Sequence, residues 1–153
     1  MKQRAIQAGL IVAIVAAALV LRQRGAPALP ETPEAAVNAL FDAAGKGDDE
    51  AYLALLRGEL ARTLRATRSQ MGAEAFQANL RRSAGGIVGL AVTRRDDASP
   101  PDVALNVEII FRDRNERQRL VVSPESGAWA VTALGPASTT QPAIPYGTPV
   151  YQE

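Results

Sequence analysis

The chain has 153 residues, enough for one domain of ordinary size, and a formal net charge of +1, which gives no global reason to bind nucleic acid. It contains neither cysteine nor histidine. That excludes disulfides and thiol chemistry, the usual ligands of haem, zinc, copper and iron–sulfur clusters, and the commonest general base near neutral pH.

The first element is an apolar run, Ala5–Leu21, AIQAGLIVAIVAAALVL, flanked by Lys2, Arg4, Arg22 and Arg24. As a helix its 17 residues span roughly 25 Å, near the lower limit for crossing a bilayer, and the flanking cations can snorkel to the headgroups. Residues 1–24 therefore read as a retained transmembrane anchor. The rival reading is a cleaved signal peptide with Ala26-Pro27-Ala28 as its cleavage site. Against it, the run is longer than usual and two arginines separate it from that site. The positive-inside rule leaves the amino terminus in the cytoplasm and the rest of the chain in the periplasm or outside the cell. Ala5, Gly9, Ala13 and Ala17 recur every four residues. Four small side chains then share one groove, where a partner helix could approach closely, although so Ala-rich a run can produce the spacing by chance.

Residues 25–31, with two prolines and a glycine, read as a linker. Thr32-Pro33-Glu34 opens a helix: an N-cap hydroxyl, a proline at the first turn and an acid favoured by the dipole. Val37, Leu40, Phe41 and Ala44 form its apolar stripe, and Gly45 is expected to end it. Asp48 or Asp49 caps a second short helix with Tyr52, Leu55 and Leu56 inward. The run Asp48-Asp49-Glu50 is read as capping and not as a Ca or Mg site. Residues 59–70 continue helical with Leu60, Leu64 and Met71 inward. Gly72 breaks the chain, and residues 73–84 form a further helix with Phe76 and Leu80 inward. Residues 57–95 carry eight arginines against Glu59 and Glu74. A solvated helix face explains them better than an anion or lipid-headgroup patch.

After Gly85-Gly86 the period changes. Residues 87–94 are a candidate strand. In residues 102–112, Val103, Leu105, Val107, Ile109 and Phe111 share one face, with Asn106 and Glu108 on the other. Turns at Asp113–Glu116 and Pro124–Gly127 lead into two more strands, 117–123 and 128–134. The predicted class is α+β: three to four helices packed on a four-stranded antiparallel meander with one buried face.

A helix start at Thr32-Pro33-Glu34, the run GDDEAYLALL at 47–56, further helices and a meander closing on GAWAVTAL with Trp129 together resemble the NTF2-like, or cystatin-like, superfamily. The similarity is greatest to small domains of bacterial exported and membrane-anchored proteins, and it covers about residues 31–134. It implies a concave pocket between helices and sheet, in which enzymes of the superfamily place Asp, His or Tyr. This chain has no histidine and no Asp–Tyr pair that the sequence places there, so no catalytic residue is carried over.

Residues 135–153 have no period. Pro136, Pro142, Pro145 and Pro149 predict an extended tail, and Tyr146 and Tyr151 are candidates for docking on a partner. The expectation is thus a non-catalytic single-pass accessory subunit of a larger bacterial membrane complex. It would sit in the cytoplasmic membrane and meet other membrane-protein subunits and the bilayer, with no nucleic acid and no cofactor. A respiratory or photosynthetic assembly is a natural host. The alternative is a membrane-anchored periplasmic module binding a small apolar or anionic ligand. An enzyme ranks last, because its base would have to be a strongly shifted Asp or Glu.

Overall fold

The computed structural model describes residues 28–141, and the expected anchor and most of the tail lie outside them. No helix among the described residues is long and apolar enough to cross a membrane. Four helices come first: α1 Pro33–Lys46, α2 Asp49–Ala54, α3 Gly58–Met71 and α4 Ala73–Ala84. Five strands follow: β1 Ile87–Arg95, β2 Val103–Phe111, β3 Asn115–Glu125, β4 Ala128–Leu134 and β5 Ser138–Gln141. They form one antiparallel sheet in the order β1-β2-β3-β4, with β5 paired to β3 beyond the end of β4.

The α1 start matches its sequence. Thr32 Oγ1 accepts from the Ala35 N–H at 3.1 Å. Glu34 accepts from Arg94 of β1 at 2.5 and 3.1 Å, which ties the helix start to the sheet. The helix does not stop at Gly45. It runs to Lys46 and turns at Gly47, φ 65°, where the Asp48 N–H reaches back to the Ala43 carbonyl at 2.9 Å. A side chain at Gly47 would also collide with the guanidinium of Arg81, which lies over this turn. Glycine is therefore fixed at 47 by φ, while the exposed arginine side chain could swing aside.

Asp48 caps α2, accepting from the Ala51 N–H at 3.1 Å. Asp49 does something else. It is buried, 4% exposed, and accepts from Arg68 Nε of α3 at 2.5 Å and from Gln77 Nε2 of α4 at 3.0 Å. One carboxylate thus joins three helices: of the two acids expected to cap α2, Asp48 takes that role and Asp49 does not. Burial pushes its pKa up, but the Arg68 and Gln77 bonds outweigh that and hold it below the ordinary carboxylate value.

Leu55 and Leu56 are buried, but past the end of α2. Their backbone lies beside β4: Val131 N–H bonds to Leu55 O at 2.8 Å and Arg57 N–H to Val131 O at 3.0 Å. Trp129 N–H bonds to Pro30 O at 2.8 Å, and Leu29 packs on the core. The outer edge of β4 is covered by these two segments, so the chain expected as linker already belongs to the domain by Leu29. Met71, expected inward, is 39% exposed, because the inward face of α3 is carried by Ala61, Leu60 and Leu64.

The β2 register is as expected. Leu105, Val107, Ile109 and Phe111 are buried in one cluster with Val37 and Leu40, and Val103 and Phe41 pack at its border. Leu120 and Val122 of β3 and Val131 of β4 complete the floor. The sheet does not end at Leu134. Gly135 N–H bonds to Arg119 O at 2.7 Å, and Ser138–Gln141 then resumes pairing with β3. Four of the eight arginines in residues 57–95 are ion-paired: Arg57 with Glu125, Arg62 with Glu59, Arg68 with Asp49 and Arg94 with Glu34.

Leu105→Ala should cost about 2–5 kcal/mol of unfolding free energy in denaturant titration, since it empties a fully buried central position. Asp49 is held more strongly ionised when folded than when unfolded. Its contribution is complete above the unfolded value of about 4 and is lost as pH falls through the lower folded value. Asp49→Asn should therefore lower stability at pH 7 and weaken the loss of stability between neutral and acid pH. An unchanged acid dependence in the variant would refute that role.

Candidate functional site

The helices do not close completely over the sheet. Between α1, α2 and α4 on one side and β2 and β3 on the other lies a cavity of about 210 Å³. Leu40, Phe41, Ile109, Phe111 and Leu134 supply most of its wall, and Tyr52, Ser83, Glu116 and Gln118 supply its polar groups. Of the lining residues, Ser83 at the end of α4 and Ala137 before β5 are the exposed ones, and Ile87 at the start of β1 is half-buried.

Each polar group arrives there for a local reason. Glu116, Gln118, Leu120 and Val122 lie on one face of β3, so this strand changes from polar to apolar along the inner surface of the sheet. Glu116 accepts from Arg114 Nε at 2.7 Å, and the Arg114 guanidinium lies 3.9 Å above the ring of Phe111. That arginine lies outside the lining but pairs with the cavity's carboxylate. Gln118 Nε2 donates to Gly135 O at 2.7 Å, which leaves its amide oxygen free to accept. Ser83 Oγ donates to Leu80 O at 2.9 Å. Tyr52 projects from α2, edge-on to Phe76 with ring centroids 6.4 Å apart. Burial pushes its phenol pKa up, so at neutral pH it is a protonated donor.

The arrangement can hold and orient a small molecule. It offers no nucleophile paired with a base: the carboxylate is occupied by Arg114, and the phenol stays protonated. No lysine or arginine is among the lining residues, so the cavity suits an apolar or neutral polar ligand better than an anion.

The residues expected to contact partners, Ala5, Gly9, Ala13, Ala17, Tyr146 and Tyr151, lie outside the described residues. The cavity residues were not singled out as a site. Tyr52 had been read only as part of an apolar stripe. Glu116 and Gln118 stood in NERQRL, where the signal was available: two polar residues at a spacing of two, continuing into Leu120 and Val122.

No protein-family model matches the chain, and no curated protein does. Among solved structures it is similar to a cystatin-like protein from Ruminococcus gnavus ATCC 29149, with a TM-score of 0.51 and 12% sequence identity. The likeness covers 76% of this chain and 42% of that one, so this chain matches less than half the length of its neighbour. At that identity it concerns the fold alone. The fold is α+β and cystatin-like, with helices packed on one face of an antiparallel sheet.

Proposed function

We propose that the protein is a non-catalytic binding module, tethered to the outer side of a bacterial cytoplasmic membrane, that holds a small and largely apolar ligand. The cavity between α1, α2, α4 and the sheet carries this reading. Its volume, about 210 Å³, exceeds the roughly 150 Å³ of a cavity that accepts benzene and falls below that of most drug-sized sites. The ligand would have about the bulk of a short branched or cyclic alcohol. Its apolar body would lie on Ile109 and Phe111, and its polar group would meet Tyr52 or the Gln118 amide. Titration of the intact protein in mild detergent with a cyclic alcohol, followed by NMR, should give saturable shifts. Ala137→Trp at the mouth should weaken binding about tenfold. Tyr52→Phe should lose about 0.5–1.5 kcal/mol for the alcohol but not for the matching hydrocarbon. Absence of saturable binding in the unaltered protein would end this reading.

The second reading, an accessory subunit of a larger membrane complex, draws support from the way Pro30 is bound to β4. Only residues 22–28 then separate the apolar run Ala5–Leu21 from the folded domain, a reach of at most roughly 25 Å. A domain held that close to the bilayer meets neighbouring membrane proteins before anything in bulk solution. Gly9→Leu with Ala13→Leu would block the small-residue groove, and truncation after Gln141 would remove Tyr146 and Tyr151 while sparing β5. Both variants should still reach the membrane but lose co-purifying subunits. Extraction of the unaltered protein as a species without other subunits would count against the accessory role.

A further inference from the structure

The two edges of the sheet are treated differently. The β4 edge is covered, with the Trp129 and Val131 N–H groups bonded to Pro30 and Leu55. The β1 edge is bare: among the described residues only β2 pairs with this strand. Its middle, Leu90–Thr93, has high strand propensity and no proline or charge, while a bulge at Val88 and two arginines, Arg94 and Arg95, confine regular pairing to that stretch. Val88 is 57% exposed, and Leu90 and Val92 are only partly buried. Leu90 and Val92 face inward, opposite Ile109 and Val107, while Ala91 is exposed on the other face.

We infer that β1 pairs antiparallel with β1 of a second copy, joining the two sheets across a two-fold axis at Ala91. In that register Leu90 of each copy stands opposite Val92 of the other, on the inner face, so their partly exposed side chains cover one another. Arg94 and Arg95 of the two copies lie at opposite ends of the ladder, beside the partner's uncharged start. An axis moved three residues along, to Arg94, would set like charges directly opposite. Charge and apolar pattern therefore select the same register.

The remainder of this chain is a poorer occupant. The segment after Gln141 leaves from β5, on the far side of β2 and β3 from β1. Pro142, Pro145 and Pro149 deprive it of the N–H groups needed for a continuous ladder.

The chain has no cysteine, so a single introduced thiol reports the contact cleanly. In the full chain, extracted in mild detergent and gently oxidised, Ala91→Cys should form a disulfide dimer. Directly opposed Cβ atoms come close enough for the bond. Thr93→Cys should not, because its own counterpart lies four residues away along the ladder. Ala91→Lys sets two cations together at an exposed position, so the fold should keep its melting temperature. The dimer association constant should fall about tenfold by native mass measurement. A reduced monomer from Ala91→Cys overturns the proposal. So does a dimer that persists undiminished in Ala91→Lys, which would be held by another surface, such as the groove of Gly9, Ala13 and Ala17.

Discussion

The sheet has one apolar face and too few helices to cover all of it. Leu105, Val107, Ile109 and Phe111 on β2, with Leu120 and Val122 on β3, must leave water, and the helices are the only described elements available to cover them. The closest helix packing falls on β3 and β4, by α1 and α3. Cover is thinner toward β1. From this imbalance follow both the cavity beside Ile109 and Phe111 and the partly exposed Leu90 and Val92. A fifth helix or a longer α4 would remove both.

The helical layer itself is held by polar as well as apolar contacts. Phe76 and Leu80 of α4 and Ala61 of α3 are buried, but α2 is six residues long and could not persist alone. Asp49 gives it a fixed place by accepting from one donor on each neighbouring helix. A buried carboxylate with one partner removed would be costly, whereas this one is matched by a guanidinium and an amide at once. Arg81 over Gly47 and Arg94 on Glu34 extend the same pattern. Of the eight arginines in residues 57–95, Arg57, Arg68 and Arg94 tie separate elements together through Glu125, Asp49 and Glu34.

What could be read from sequence depended on the range of the interaction. Thr32, Asp48 and Gly72 act within one turn of where they stand, and their roles were legible. The β2 face was legible because alternation over nine residues admits no second register. Asp49 was misread because its partners lie 19 and 28 residues away, and nothing local separates a buried acid from a cap beside Asp48. Strand β5 was missed for a related reason: Ser138–Gln141 is polar and has no alternation, and it is a strand only because β3 extends past the end of β4. The cavity fell between these cases. Its apolar wall was read as core, and its polar groups came from α2, α4 and β3, which no short window spans.

Ile87 connects the cavity with the bare edge. It lines the cavity and is also the first residue of β1, opposite Phe111, which lines the same space. Gly86 just before it, φ 84°, sets the turn from α4 into the strand, and Ser83 at the end of α4 also faces the cavity. Anything that fills the cavity therefore buries the start of β1 and restrains the α4–β1 junction. Pairing along β1 restrains the same wall from the other side. The cavity proposed as a ligand site and the edge proposed as a pairing surface thus share one wall, Ile87, and meet at the α4–β1 junction.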